Sequence, residues 1–194
     1  MFWYTQSMKT FIITLVIIIA VVGGGYLLVQ ISKPDATAPK AVFAQCLKDE
    51  GVLFYGAFWC PHCQANKALF GNSKSFLPYV ECSNADNSQK QICIDKKIEG
   101  YPTWFFPKEI TIESASEPVI CNVQPGPADQ PASCAQTGSK YFKTWNFADA
   151  KVIADTDPVH TGTTWTFPAG SRTSGELDFE NLAAFSGCTA PTEK

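Results

Sequence analysis

Residues 58–64 read FWCPHCQ, two closely spaced cysteines placed between two recognisable patterns. Before them, Val52–Trp59 is a nearly continuous apolar and aromatic run, which indicates a strand buried on both faces of a sheet. Immediately after Cys60, Pro61 suits the first turn of a helix, and the helical pattern ends near Gly71. A strand followed directly by a helix, with a C-x-x-C pair at the junction, is compatible with few folds and few kinds of chemistry.

The position of the cysteine pair favours disulfide exchange. Cys60 is expected at a helix N-terminus, where unpaired backbone N–H groups and the helix dipole stabilise a thiolate. Donors from the adjoining Pro61–His62 segment add to this effect, and the thiolate is the nucleophile in disulfide exchange. Cys63 follows one helical turn later, so its sulfur can reach back. The spacing therefore lets Cys60 attack and Cys63 resolve the mixed disulfide.

Two other uses of a C-x-x-C pair have to be weighed. A structural zinc site needs four ligands, commonly two such pairs, whereas this chain has no second C-x-x-C and only 2 histidines, His62 and His160. An inert structural disulfide is the other alternative, but a tight bridge at an exposed helix start would be strained and labile. We therefore expect a redox-active pair, with no metal and no cofactor.

The order of the remaining elements predicts an α/β fold. The expected elements are a helix over 39–50, the strand 52–59, the helix after Cys60, a strand over 76–82, a helix over 88–98 and a strand over 100–106. Two strands or a hairpin follow in TTWTFPAG and SRTSGEL, and Asp178 is placed to cap a last helix. Alternating helices and strands indicate an α/β sheet.

Residues 108–162 interrupt this order with a segment rich in Pro, Ser, Thr, Asp and Ala. A core α/β domain does not need so long a connection, so we interpret the segment as an insertion. Its short strand-like patches predict a β-rich subdomain, and Cys121 and Cys134 flank a Pro/Gly-rich loop within it. In an oxidising compartment a disulfide between these cysteines would close the loop, and a second redox pair is the alternative.

The N-terminal segment Phe11–Ile31 carries no charge and is long enough to cross a bilayer as a helix. A cleaved signal peptide is the alternative, but its apolar core is usually shorter, and cleavage after Ala38 would leave Pro39 as the first mature residue. We therefore expect residues 1–33 to be a membrane anchor and 34–40 a linker. The 8 cysteines indicate an oxidising compartment outside the cytoplasm, and the net charge of −3 gives no sign of nucleic-acid binding.

Four segments of the chain resemble proteins of the thioredoxin superfamily. They are YGAFWCPHCQANKALFG, LPYVECS, QICIDKKIEGYPTW and GELDFENLAAFSGC. They look like the thioredoxin-like domain that is fused to bacterial and plant vitamin K epoxide reductase homologues, over roughly 41–106 and 164–188. The resemblance implies a thioredoxin-like domain over 41–188, with the insertion inside it and a tail over 189–194. The combination of C-x-x-C with a later G-x-P-T is more specific than either motif alone.

The resemblance also implies roles for individual residues. Cys60 would be the attacking cysteine and Cys63 the resolving one. Pro102 would be a cis-proline facing the pair, with Tyr101 before it presenting its backbone to the substrate chain. Trp59 would supply apolar contact for a bound peptide.

Four further cysteines are expected to be structural. Cys82 and Cys93 match an additional disulfide of the resembled family, which joins a strand end to the next helix. For Cys46 and Cys188 the sequence leaves two alternatives, a disulfide between them or, for Cys46, a buried thiol on an apolar helix stripe.

The chain departs from the resembled proteins in two respects. The buried acid that thioredoxin and DsbA carry six residues before the first cysteine is replaced by Phe54, so protons must move through water, another group or the partner. The four-helix quinone-linked reductase bundle is missing from this sequence. A separate membrane protein would therefore have to reoxidise the pair.

These observations lead to one functional expectation. We expect a membrane-anchored thiol–disulfide oxidoreductase, with its catalytic domain outside the cytoplasm, that oxidises cysteines of exported proteins. Its redox partner would be a membrane protein such as a vitamin K epoxide reductase homologue. A disulfide isomerase or reductase is the alternative within the enzymes, and a partner-binding or metal-delivery module is the alternative outside them.

Overall fold

The computed structural model describes residues 11–24, 34–114, 117–121, 142–147 and 151–192, with the side chains of 119–121 left out. The chain divides into two compact units, residues 1–35 and 36–194. In the first unit, residues 11–24 form a helix, α1, whose side chains are exposed. No helix among the described residues is both long and apolar enough to cross a membrane. The last part of the apolar segment, residues 25–31, lies outside the described residues.

The second unit begins with α2, Pro39–Asp49, which buries Phe43 and Leu47. The helix stops where the sequence predicts, because Gly51 adopts a left-handed φ of 75° that a glycine reaches without a steric penalty. The chain then enters β1, Leu53–Gly56, the central strand of the C-x-x-C region.

A seven-stranded sheet holds the unit together. Its strands lie in the order β2 (Tyr79–Glu81), β1, β3 (Thr103–Phe105), β10 (Arg172–Ser174), β7 (Lys151–Ala154), β6 (Lys143–Asn146) and β5 (Val119–Cys121). Strand β1 pairs in parallel with β2 and antiparallel with β3, and β3 pairs antiparallel with β10. Each of β1, β2 and β3 is shorter than its apolar run. Pro78 directly precedes β2 and Pro102 directly precedes β3. Proline has no N–H to donate to a neighbouring strand, so these residues limit where the two strands begin.

Helices lie between these strands in the expected order. They are α3 (Pro61–Leu69), a short 3-10 helix (Gly71–Phe76), α4 (Gln91–Asp95) and α5 (Phe179–Ser186). Asp178 caps α5 as predicted, since its Oδ1 accepts a hydrogen bond of 2.8 Å from the Asn181 N–H. The mixed helices and sheet are compatible with the expected α/β class.

The described part of the insertion contains strands that belong to two sheets, and the expected subdomain stays a prediction, because residues 115–116, 122–141 and 148–150 lie outside the described residues. Strands β5 (Val119–Cys121), β6 (Lys143–Asn146) and β7 (Lys151–Ala154) extend the main sheet, because β7 pairs with β10. Strands β4 (Ile110–Glu113) and β8 (Val159–Thr161) flank β9 (Thr164–Phe167) in a second sheet. Adding β7 to β10 pairs backbone groups that an edge strand would leave open.

The second sheet packs on the main sheet through aromatic side chains. The ring of Trp145 on β6 lies edge-on to that of Phe167 on β9, with centroids 5.4 Å apart. Both residues are almost completely buried. Because β9 and β10 belong to different sheets, the hairpin considered for this part of the chain does not form.

Two disulfides fix the periphery of the unit. Cys46–Cys188 ties α2 to the end of α5, and Cys82–Cys93 ties the end of β2 to α4. The structure therefore contains a Cys46–Cys188 bond rather than a buried Cys46 thiol. The expected bond between Cys121 and Cys134 lies outside the described side chains.

Candidate active site

Cys60 is the N-cap residue of α3, at the end of the short segment that connects β1 to this helix. Its φ of −76° and ψ of 118° are extended, and Pro61 follows as the first helical residue. The sulfur accepts a hydrogen bond of 3.3 Å from the Cys63 N–H, one of the backbone donors that a helix start leaves unpaired. The thiol also contacts the carbonyl oxygen of Tyr101 at 3.6 Å.

Cys63 lies one turn further along α3 and is completely buried. Burial, together with its hydrogen bond to Cys60, raises the pKa of the Cys63 thiol to about 12. The residue therefore stays protonated at neutral pH. Both cysteines are free thiols in the structure.

A cavity of about 730 Å³ opens in front of Cys60. The structure brings together most of the residues that the sequence singled out. Those that line the cavity are Trp59, Cys60, Pro61, His62 and Tyr101. Cys63 is not among the lining residues. Both cysteines are buried, but Cys60 is 3% exposed and is the member of the pair that lines the cavity.

Tyr101 lines the cavity, and Pro102 follows it in the chain. The Tyr101–Pro102 peptide bond is cis, the geometry that the resemblance implies. Pro102 is buried, and its carbonyl oxygen accepts a hydrogen bond of 3.0 Å from the Gly175 N–H, which fixes the start of β3 to the end of β10. The Tyr101 ring lies edge-on to Trp59 with centroids 5.9 Å apart.

The indole of Trp59 is held at the cavity mouth. Its Nε1 donates a hydrogen bond of 2.8 Å to the Ser83 hydroxyl, while 49% of the residue remains exposed. A tryptophan that is anchored at one end and exposed along its ring offers an apolar surface beside Cys60.

Glu176 is a site residue that the sequence did not indicate. Its Oε1 lies 2.6 Å from Nδ1 of His62, and both side chains are largely exposed. Asn66, which is completely buried on α3, holds the adjoining residue in place. Its Nδ2 donates to the Leu177 carbonyl oxygen at 2.8 Å, and its Oδ1 accepts from Trp104 Nε1 at 3.1 Å. No local sequence pattern signals a contact between residues so far apart in the chain.

The four cysteines of the described disulfides are separate from this site. Cys82–Cys93 and Cys46–Cys188 are closed disulfides outside the cavity lining. Within the part of the chain that the structure describes, no group of three or more metal-ligating side chains lies together. What the site offers chemically is one reachable thiol with a second, protonated thiol directly behind it.

Two curated proteins are similar to part of this chain. Thiol-disulfide oxidoreductase LTO1 of Arabidopsis thaliana is 40% identical over 77 residues, which is 36% of this chain and 20% of that protein. Thioredoxin domain-containing protein 5 homolog of Drosophila melanogaster is 39% identical over 70 residues, which is 30% of this chain and 16% of that protein. The matches thus span a fifth or less of each relative's length. No protein-family model matches the chain.

The names of these relatives agree with the geometry of the cysteine pair. A thiol at a helix N-cap with a second thiol one turn later is an arrangement that suits thiol–disulfide exchange. The partial matches, together with the mixed α/β architecture, support a thioredoxin-superfamily domain with a thiol–disulfide redox role.

Proposed function

We propose that this protein is a membrane-anchored thiol–disulfide oxidoreductase that oxidises cysteines of exported proteins through Cys60 and Cys63. The observation that supports the proposal is the different placement of the two cysteines. Cys60 lines the cavity, whereas Cys63 is completely buried behind it. A substrate thiolate would attack the Cys60 sulfur of the oxidised pair, and Cys63 would leave as the internal thiol.

The contacts of the Cys60 sulfur support the oxidising direction. The Cys63 N–H donates to it, and the N-cap position places it at the positive end of the helix dipole. Interactions that stabilise the thiolate of the reduced pair make the corresponding disulfide a stronger oxidant. Two electrons would pass from the substrate dithiol to the pair. A membrane protein such as a vitamin K epoxide reductase homologue would then remove them.

The proposed location outside the cytoplasm is supported by the disulfides Cys46–Cys188 and Cys82–Cys93, because cytosolic thiols are kept reduced. The proposed anchor is supported by the uncharged segment Phe11–Ile31. The anchor predicts that the full chain stays in the membrane fraction after extraction at alkaline pH. Recovery in the soluble fraction would contradict it.

The direct test of the activity is oxidative refolding. The oxidised full chain is mixed in stoichiometric amount with a reduced, unfolded protein that becomes active only when its disulfides form. We expect one substrate disulfide for each Cys60–Cys63 bond consumed, and none with Cys60→Ser. An oxidase of this kind should have a reduction potential near that of DsbA, about −120 mV, whereas a potential near that of thioredoxin, about −270 mV, would indicate a reductase.

A further inference from the structure

Opening the Cys60–Cys63 disulfide creates a thiolate in the protein interior. Cys63 has no exposed surface, and its pKa is raised to about 12, so the leaving thiolate has to take up a proton at neutral pH. At the position where the resembled enzymes carry a buried acid, Phe54 stacks on Trp104 with ring centroids 4.2 Å apart. The proton must therefore come from another group.

Three polar side chains next to Cys63 form a connected group, Lys67, Tyr79 and Glu81, which we call the lysine cluster. Lys67 follows Cys63 by four positions in α3, so the two side chains share one face of the helix. The Nζ of Lys67 lies 3.2 Å from the centroid of the Tyr79 ring. The Tyr79 hydroxyl in turn donates a hydrogen bond of 2.9 Å to Glu81 Oε2.

Glu81 is itself fixed by the backbone around the active site. Its Oε1 accepts a hydrogen bond of 3.1 Å from the Phe58 N–H, in the segment that leads to Cys60. The same oxygen accepts one of 2.9 Å from the Ser83 N–H, in the loop that holds Trp59. The position of Tyr79, and through it that of the Lys67 ammonium, is therefore tied to the cysteine pair.

Gly56 shows how closely this group approaches the buried sulfur. A Cβ atom at this position would lie 2.9 Å from Cys63 Sγ and 3.2 Å from the Tyr79 hydroxyl oxygen. Both atoms thus face the same small space above the Gly56 backbone. A glycine is needed there, since any side chain would separate Cys63 from Tyr79.

The charges of the cluster decide which member can act as an acid. Burial lowers the pKa of Lys67, and Lys74 on the 3-10 helix lowers it further, although Glu81, Cys63 and Cys60 oppose the shift. Burial and the hydrogen bond to Glu81 raise the pKa of Tyr79, so the phenol retains its proton. The Lys67 ammonium is therefore a stronger acid than the Cys63 thiol, and proton transfer from Lys67 to a Cys63 thiolate is downhill.

We propose that Lys67 protonates the Cys63 thiolate when a substrate opens the disulfide, with Tyr79 and Glu81 as positioning residues. This inference rests on the proposed function. In the step, a substrate thiolate attacks Cys60 Sγ and forms a new S–S bond. The Cys60–Cys63 bond breaks with its electron pair on Cys63, which takes a proton from Nζ of Lys67. Lys67 is partly exposed and regains a proton from water.

The test measures the rate at which dithiothreitol opens the Cys60–Cys63 disulfide of the oxidised full chain, at a series of pH values. Lys67→Met removes the ammonium and keeps the apolar stem. Lys67→Arg keeps the positive charge, but a guanidinium cannot release a proton in this pH range. Lys48→Met is the matched control, because it removes an exposed lysine from α2, which carries no member of the lysine cluster.

We expect Lys67→Met and Lys67→Arg to slow the opening step at pH 7 by about a hundredfold or more, the lower end of the range of general acid catalysis. Lys48→Met should react at the wild-type rate. The advantage of the wild type should shrink as the pH rises towards the pKa of Lys67, which lies below its usual 10.5, because the neutral amine has no proton to give. Unchanged thermal midpoints would show that the variants are folded.

Two results would overturn the inference. A wild-type rate for Lys67→Arg would mean that positive charge alone is sufficient, and a wild-type rate for Lys67→Met would mean that Lys67 has no part in the step. Neither result would contradict the proposed function. The proposed function is contradicted instead if the wild-type Cys60–Cys63 pair does not exchange with dithiols at all.

Discussion

The two halves of the main sheet hold different kinds of residue. Around β2, β1 and β3 lie the cysteine pair, the cavity and the lysine cluster, with polar groups held inside the fold by hydrogen bonds. Around β7 and β6, Trp145 and Val152 are almost completely buried beside polar residues of the same strands, and no residue of these strands lines the cavity. The chemistry is therefore confined to one half of the main sheet, while the other half supplies buried surface.

Strand β10 joins the two halves. Its Thr173 pairs with Trp104 on β3 and with Val152 on β7. Directly after β10 come the residues that meet α3, where Glu176 contacts His62. The insertion therefore supports the strand that leads into the active site, and its contribution should appear in stability rather than in the chemical step.

The largest effect is expected from the cysteine pair. Cys60→Ser should reduce disulfide exchange to the uncatalysed rate, because no other described residue offers a free thiol to the cavity. Cys63→Ser should instead accumulate mixed disulfides between Cys60 and substrate, since the resolving thiol is missing. Non-reducing electrophoresis with a cysteine-containing substrate distinguishes the two, and trapping by Cys60→Ser would reverse the assigned roles.

The second prediction concerns the other half of the sheet. Trp145→Ala should lower the free energy of unfolding by about 3–5 kcal/mol, the usual cost of truncating a fully buried large aromatic side chain. Urea unfolding measures this, with Val159→Ala as a control that changes an exposed residue. The exchange rate of the folded variant should equal that of the wild type. A slower exchange at unchanged stability would show that the halves are not separate in function.

The local features of the C-x-x-C half could be predicted because short sequence patterns determine them. Pro61 after Cys60, Gly51 after α2 and Asp178 before α5 each mark a helix boundary through the conformation or the hydrogen bond of one residue. The pairing of β7 with β10 could not be predicted, because a strand carries no local mark of its distant partner. Contacts between remote residues, such as Lys67 with Tyr79 and His62 with Glu176, were missed for the same reason.

The third prediction compares the two described disulfides. The Cys46–Cys188 bond closes a loop of 142 residues, whereas Cys82–Cys93 closes one of 11. If the bonds act mainly by restricting the unfolded chain, the longer loop should contribute about 2 kcal/mol more. The double variants Cys46→Ala/Cys188→Ala and Cys82→Ala/Cys93→Ala are compared by urea unfolding. Equal losses, or a larger loss for the short loop, would contradict the entropic explanation.

The last prediction concerns Asn66, which connects α3 to Leu177 and Trp104. Asn66→Ala leaves buried polar groups without partners, at a cost of about 1–3 kcal/mol for each group in stability. The Glu176 side chain should also lose its fixed position over His62. A change in the free energy of unfolding without any change in exchange rate would limit Asn66 to a structural role.

The most direct test of the account is a redox titration of the full chain. The protein is equilibrated with glutathione buffers over a range of potentials, the free thiols are alkylated, and mass spectrometry assigns each cysteine. The account predicts one two-electron transition, confined to Cys60 and Cys63, while Cys46–Cys188 and Cys82–Cys93 remain closed. A Cys60–Cys63 pair that stays in one state throughout, while another disulfide opens and closes, would contradict it.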